Sequence, residues 1–162
     1  MSIRESIEQH RGLAAGITGV FIVVAIGMTV YGSRSGDPGP NTRTYYTDDD
    51  GKTYFADDIN KLYPFDHNGK QAYLANVFES SKGGRFVAYL SRINDAARPK
   101  LEAMKATPGG VGSDDYVRAL NAAVEIQRPG DTTWARQGSP AFAKVAEFPC
   151  PDGGTDPHSV SP

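Results

Sequence analysis

The chain has 162 residues, and its 17 Lys and Arg stand against 19 Asp and Glu, for a net charge of −2. This length suits one compact domain rather than two. A near-neutral mixture with both signs interspersed argues against nucleic acid as a partner, since nucleic-acid-binding proteins concentrate basic side chains on one face. The single cysteine excludes an internal disulfide.

Residues 13–31 form an apolar run without a charged side chain. As a helix this run would be about 28 Å long, close to the ~30 Å hydrocarbon core of a bilayer. We therefore predict a transmembrane helix at 13–31 after an N-terminal flank at 1–12. A cleaved signal peptide is the alternative, although its apolar core is normally shorter. A type IV pilin leader would need a glutamate inside the run, and the run contains none.

The orientation of this single span depends on the charges beside it. Arg4 and Arg11 precede the run, and Arg34 and Arg43 follow it, so the basic residues give almost no asymmetry. The short flank with its free amine favours an N-terminus inside and an extracytoplasmic domain. The predicted localisation is therefore the membrane, with the lipid bilayer as a partner.

Three glycines in this region lie on one face of a helix. Gly12, Gly16 and Gly19 are spaced at i, i+4 and i+7, which allows two helix backbones to approach closely in lipid. The pattern predicts self-association or contact with another envelope protein. The alternative is composition alone, because glycine is common in membrane helices.

Two polar segments bound the predicted domain. Residues 32–43 are rich in Gly, Pro and Ser and predict a flexible linker. Residues 152–162 have the same character and predict a disordered tail. The soluble domain is therefore expected at 44–151.

The first half of that domain reads as strands joined by tight turns. Asp50–Gly51 predicts a hairpin turn between Tyr45–Thr47 and Lys52–Phe55. A second turn is expected at 66–70, and the strongest hairpin joins strands 72–79 and 85–93. In the latter, alternation places Phe86, Ala88 and Leu90 on one side and Val87, Tyr89 and Ser91 on the other, as in an interior strand.

The second half mixes helices with short strands. Helices are predicted at 100–106, capped by Asn94 or Asp95, at 114–121, capped by Ser113, and at 139–145, capped by Ser139. Strands are expected at 124–127 and 132–135. The fold class is α+β, with an antiparallel sheet and two or three short helices.

The aspartates of the first turn are candidate metal ligands. Asp48, Asp49 and Asp50, with help from Asp57 and Asp58, supply the hard oxygen atoms that Ca²⁺ prefers. The spacing does not follow an EF-hand loop, because Gly51 comes too early and Lys52 occupies a ligand position. A solvated hairpin turn is the favoured interpretation, because the turn by itself explains why Asp and Gly occur here.

No other pattern indicates catalysis or a cofactor. His10, His67 and His158 lie far apart in sequence, and Cys150 has no partner for a CxxC motif. Phosphate-binding, dinucleotide-binding, nucleophile-elbow and zinc-protease motifs are absent from the sequence. Tyr45, Tyr46 and Trp134 are candidate binding aromatics, with core packing as the alternative.

Several segments resemble a family of small, uncharacterised bacterial proteins that have an N-terminal membrane anchor and an α+β soluble domain. The segments that support this resemblance are 45–55, 64–70, 86–90, 128–131 and 150–153. The resemblance implies a shared anchor and fold and implies no activity.

These features predict a membrane-anchored, non-enzymatic binding or assembly module of the bacterial cell envelope. A pilin-like or secretion-apparatus subunit is an alternative, although its helix would continue into the domain instead of ending at a Pro- and Gly-rich segment. An enzyme without a recognisable motif is the other alternative.

Overall fold

The computed structural model describes residues 42–162, which form an α+β fold with an antiparallel sheet and three helices. This confirms the predicted fold class of the domain. The predicted flank, the membrane span and Gly12, Gly16 and Gly19 lie outside the described residues. Within 42–162, no helix combines the length and the hydropathy needed to cross a bilayer.

Eight strands and three helices make up the domain. The strands are β1 (Arg43–Thr47), β2 (Phe55–Asp58), β3 (Phe65–His67), β4 (Lys70–Glu79), β5 (Arg85–Ile93), β6 (Val124–Gln127), β7 (Ala135–Arg136) and β8 (His158–Ser159). The helices are α1 (Arg98–Ala106), α2 (Asp114–Ala123) and α3 (Pro140–Ala146).

The long strand β4 organises the sheet, whose main order is β2-β1-β4-β5-β6-β7. Every pair of neighbouring strands is antiparallel. Leu74 pairs with both β1 and β5, and Phe78 pairs with both β5 and β8. Strands β1 and β8 therefore share the edge of β4 that lies opposite β5. Strand β5 lies between β4 and β6, which confirms it as an interior strand.

The predicted turns are confirmed in one place and corrected in another. Asn68 and Gly69 form the two-residue turn between β3 and β4, and their φ angles of 54° and 81° are those that a tight hairpin requires. The first hairpin is wider than predicted, because β2 begins at Phe55 and not at Lys52. The Asp49 carboxylate accepts a hydrogen bond from the Thr53 backbone N–H, which keeps 48–54 as a loop.

A β-bulge changes which side chains of β5 share a face. Asn76 pairs with Tyr89 but Val77 pairs with Val87, so Ala88 is an extra residue in β5. The extra residue interrupts the two-residue alternation. Phe86 and Tyr89 consequently lie on the same face, where both rings contact Phe148 with centroids 5.9 Å away. The predicted placement of Phe86 and Tyr89 on opposite sides is wrong for this reason.

Two of the three described helices have the N-terminal caps that the sequence predicts. The hydroxyl of Ser113 accepts a hydrogen bond from the Tyr116 N–H at the start of α2, and Ser139 caps α3 ahead of Pro140 in the same manner. Helix α1 has no side-chain cap and begins after Ala97. Asn94 instead accepts from the Ala97 N–H and forms a turn before the helix.

The main core lies between the sheet and helices α1 and α2. Tyr46, Ile93 and Leu101 are fully buried there, with Tyr116 beside them. We call this side of the sheet the helix face. Because side chains alternate along a strand, Thr47 next to Tyr46 and Arg92 next to Ile93 lie on the opposite side. We call that side the loop face.

The C-terminal segment belongs to the sheet. Strand β8 pairs with the end of β4, and the Val160 N–H donates to the Val77 carbonyl at 3.0 Å. The prediction of a disordered tail over 152–162 does not agree with this pairing. The polar composition was misleading because backbone hydrogen bonds, which depend little on side-chain type, hold the segment in place.

Candidate interaction surface

The loop 48–54 contains the three candidate metal ligands, and Asp48 has a partner that the sequence did not indicate. Its Oδ2 atom lies 2.8 Å from Nδ1 of His67, and the two side chains are partly buried. The imidazole also stacks on Phe55, with ring centroids 4.0 Å apart. Asn68 lies 3.4 Å from its other nitrogen. These contacts join the loop to the β3–β4 hairpin.

Asp49 and Asp50 are engaged in different contacts. Asp49 accepts hydrogen bonds from the Thr47 hydroxyl and from the backbone and hydroxyl of Thr53 at 2.7–2.9 Å. The bonds from Thr53 are the main cause that lowers the pKa of Asp49 to about 2. Asp50 accepts instead from the Gly130 N–H at 2.7 Å. The three neighbouring carboxylates therefore serve three separate structural contacts.

This arrangement does not support a calcium site at the three candidate aspartates. A cation site needs several oxygen ligands that converge on one point, whereas Asp48, Asp49 and Asp50 bind different parts of the fold. In the part of the chain that the structure describes, no group of three or more His, Cys, Asp or Glu residues could hold a metal ion.

The loop 48–54 and the loop 128–134 meet over the sheet. Besides the hydrogen bond from Gly130 to Asp50, Gly51 lies against Pro129 and Val87 so closely that an added Cβ would be 3.0 Å from Pro129. Gly51 has a φ of 79°, which favours glycine on conformational grounds as well. The two loops thus form the cover of the loop face.

Beside this cover lies a cluster that we call the Trp134 patch, composed of Tyr73, Arg92, Trp134 and Arg136. The rings of Tyr73 and Trp134 are 5.2 Å apart, and the Arg92 guanidinium lies 4.7 Å from the Trp134 ring centroid. Trp134 is partly buried, whereas the Arg136 side chain is 81% exposed. The patch therefore presents aromatic and cationic groups to solvent.

A buried carboxylate positions both arginines of the patch. The Glu125 side chain is only 4% exposed and accepts from Arg92 Nη2 at 2.7 Å and from Arg136 Nε at 2.9 Å. Register explains the arrangement, because Glu125 lies opposite Arg92 on β5 and opposite Arg136 on β7. Two charged partners compensate the cost of burying this carboxylate.

The predicted binding aromatics have different environments. Tyr46 is fully buried in the core, where burial raises the pKa of its hydroxyl, so this candidate is a packing residue that a partner cannot reach. Tyr45 is partly exposed and packs edge-on against Tyr54, with centroids 4.8 Å apart. Trp134 is also accessible in part. The alternating strand separates Tyr45 from Tyr46, because adjacent residues face opposite sides.

The region around Cys150 is ordered by its neighbour Asp152. The Ser80 hydroxyl donates to Asp152 at 2.5 Å, and the Gly154 N–H donates at 2.9 Å. These bonds lower the pKa of Asp152. Cys150 is a partly buried free thiol. These hydrogen bonds tie the segment after Cys150 to the β4–β5 turn. Among the described contacts, none brings a catalytic base to the thiol.

Comparison with known protein families, curated proteins and solved structures found no match to this chain. The resemblance to bacterial membrane-anchored proteins therefore stays a prediction. Sequence reasoning missed the Asp48–His67 pair and the ion cluster at Glu125. Only knowledge of the strand register could have revealed the latter.

Proposed function

We propose that this protein is a membrane-anchored, non-enzymatic binding module of the bacterial cell envelope. The apolar run 13–31 supplies the anchor, and the α+β domain binds a partner protein through the Trp134 patch. The observation that supports binding best is the composition of this patch, whose two arginines are paired with the buried Glu125. The bacterial assignment rests on the sequence resemblance alone.

The patch has the residue types that dominate protein interfaces. Trp, Tyr and Arg are enriched among the residues whose truncation costs most binding energy. Trp134 contacts both Tyr73 and Arg92, and the buried Glu125 holds the arginine through an ion pair. Because these side chains are already ordered in the free domain, little conformational entropy is lost when a partner binds.

The anchor is supported by the length and character of residues 13–31. The run matches the thickness of a bilayer, and Tyr31 at its end suits the membrane interface. The short N-terminal flank favours an extracytoplasmic domain. In this arrangement Gly12, Gly16 and Gly19 provide a helix face for self-association or for contact with another envelope protein.

The experiment that tests this function combines fractionation with crosslinking of the full chain in its native membrane. We expect the chain to resist extraction with alkaline carbonate and to crosslink to a reproducible partner. Thr133→Arg places a bulky cation beside Trp134, at an exposed position, and should reduce partner recovery at least fivefold. Ala122→Arg on the exposed side of α2 is the matched control and should leave recovery unchanged.

Each outcome discriminates between the candidate functions. Extraction of the intact chain by carbonate would contradict the anchor. Equal partner recovery from the two arginine variants would contradict the Trp134 patch as the binding surface. Recovery of filament subunits would favour the pilin-like alternative, and a chain that crosslinks to nothing would contradict a binding module.

A further inference from the structure

A shallow groove of about 610 Å³ lies between α1 and the segment that leads into β3. Its floor is apolar and includes Leu62 and Phe65, which are partly buried and pack on the main core. Its other lining residues are mainly charged: Lys61, Arg98, Glu102 and Lys105, with Ala106 at the end of the helix. The groove therefore combines an apolar floor with a mainly cationic rim.

The cations of the groove are only partly neutralised. Lys61 pairs with Asp57 at 2.6 Å, and Arg98 has Glu102 at the longer distance of 3.7 Å. Lys105 donates to a backbone carbonyl, that of Asn60. The three cations Lys61, Arg98 and Lys105 therefore exceed the two carboxylates, Glu102 of the lining and Asp57 beside it, by one charge. Arg98 also donates to the Pro64 carbonyl at 2.7 Å. Because lysine has three donors and arginine five, donors remain for an anion.

The groove lies beside the point where the rest of the chain joins the domain. The Ile59 N–H donates to the Thr42 carbonyl at 2.9 Å, and Asn60 next to it accepts from Lys105. Thr42 is the first described residue. The spacer between the proposed span and Thr42, residues 32–41, can extend to at most about 35 Å. If the chain is anchored as proposed above, this spacer is short enough for the groove to reach the lipid headgroups.

We propose that the groove binds the phosphate of anionic phospholipid headgroups and so orients the domain on the bilayer. The inference rests on the proposed anchor. Lys105 and Arg98 supply charge and donors for the phosphate oxygens. Leu62 faces the glycerol and first acyl carbons, beside Phe65, whose ring centroid lies 4.6 Å from the Lys61 ammonium. An open, shallow groove suits a headgroup at a surface better than an enclosed small molecule.

The test uses the full chain reconstituted in vesicles of phosphatidylcholine, with or without 30 mol % phosphatidylglycerol. A fluorophore on Ala103→Cys, an exposed position of α1 outside the groove lining, reports quenching by a headgroup-nitroxide lipid in the Cys150→Ser background. We expect at least threefold stronger quenching in the anionic vesicles. Lys105→Glu should abolish this increase, whereas Lys144→Glu, with the same charge change on the exposed side of α3, should retain it.

The outcomes separate this inference from the proposed function. Chain that carbonate removes from the vesicles would contradict the anchor itself. Anchored chain with equal quenching in both vesicle types, or with Lys105→Glu unchanged, would overturn the headgroup site alone. Loss of the crosslinked partner in Lys105→Glu with quenching retained would show that the groove binds protein, and would also overturn it.

Discussion

At the scale of single residues, the domain uses its acidic side chains as connectors. Asp48, Asp49 and Asp50 each bind a different neighbour, and Glu125 holds two arginines on adjacent strands. A run of carboxylates on a turn is often interpreted as a cation site. Here the contacts of each carboxylate give a structural reason for its presence.

Asp49 is expected to make stability depend on pH. Its pKa is about 2 in the fold and 3.8 ordinarily, so the unfolded chain binds the proton more tightly. Its contribution is therefore complete above the ordinary value and is lost as pH falls through about 2. Asp49→Asn should lower the unfolding free energy by about 1 kcal/mol at pH 7, the usual worth of such hydrogen bonds, and by little at pH 2.

Urea unfolding of the detergent-solubilised chain, followed by the fluorescence of Trp134, measures this difference. Trp134 is the only tryptophan and packs within the domain, so its emission reports on this fold. Asp95→Asn, at an exposed position, is the control. A difference between Asp49→Asn and wild type that stays constant from pH 7 to pH 2 would refute the assignment.

At the scale of elements, the two faces of the sheet are covered in different ways. Helices α1 and α2 pack on the helix face, whereas the loops 48–54 and 128–134 cover the loop face. Helices bury apolar side chains, but loops expose polar backbone groups and need specific hydrogen bonds to stay in place. The hydrogen bond from the Gly130 N–H to Asp50 meets that need, and Gly51 adds close packing against Pro129.

Two glycines with similar backbone angles test the contact between the loops. Gly51 and Gly69 have φ angles of 79° and 81°, but only Gly51 has neighbours that an added Cβ would meet. Gly69→Ala should lower the unfolding free energy by about 1 kcal/mol, the cost of the backbone conformation alone. Gly51→Ala should lower it by about 2–4 kcal/mol, because crowding against Pro129 and Val87 is added.

The measurement is again the urea midpoint of Trp134 fluorescence, with both variants compared under identical conditions. If the two variants lost the same stability, the close packing of the loops over the sheet would be contradicted.

Much of the fold could be predicted from the sequence because local signals and packing agree. Ser113 and Ser139 are good caps, and strands β4 and β5 have long apolar patterns around a turn with two glycines. Strand β3 was missed because three residues beside a turn carry too little pattern. The bulge at Ala88 was missed because only the pairing register reveals it.

The candidate surfaces were less predictable, for a physical reason. Arg92, Glu125 and Arg136 are far apart in sequence and meet only because β5, β6 and β7 are adjacent. The sequence named Tyr45, Tyr46 and Trp134 as candidate binding aromatics but could not separate the buried Tyr46 from the partly accessible Trp134. Such sites depend on tertiary register, which local patterns do not contain.

At the scale of the whole molecule, the C-terminal segment completes the sheet. Strand β8 covers the edge of β4 beyond the part that pairs with β1, and an uncovered edge would be open to pairing with other chains. The same segment bonds to the β4–β5 turn, where the Ser81 N–H donates to the Thr155 carbonyl at 3.1 Å. The domain thus includes residues 155–160.

Removal of residues 157–162 should therefore destabilise the domain and promote aggregation. The deletion removes the pairing of β8 and the hydrogen bond to Val77, for which we expect a loss of about 2 kcal/mol. His158→Ala changes a side chain but retains the backbone pairing and is the control. Limited proteolysis and light scattering measure the effect. Unchanged stability after the deletion would instead support the prediction that this segment is a disordered tail.

The bulge at Ala88 also has a consequence for evolution within any lineage that shares this fold. In this chain, the two rings of β5 that cover Phe148 are three positions apart, at Phe86 and Tyr89. A homologue that had lost the inserted residue would regain strict alternation, and its covering rings would then be separated by two positions. A sequence alignment without a gap at Ala88 would place the covering rings of the two proteins in different columns. It would then record a retained aromatic pair as a substitution.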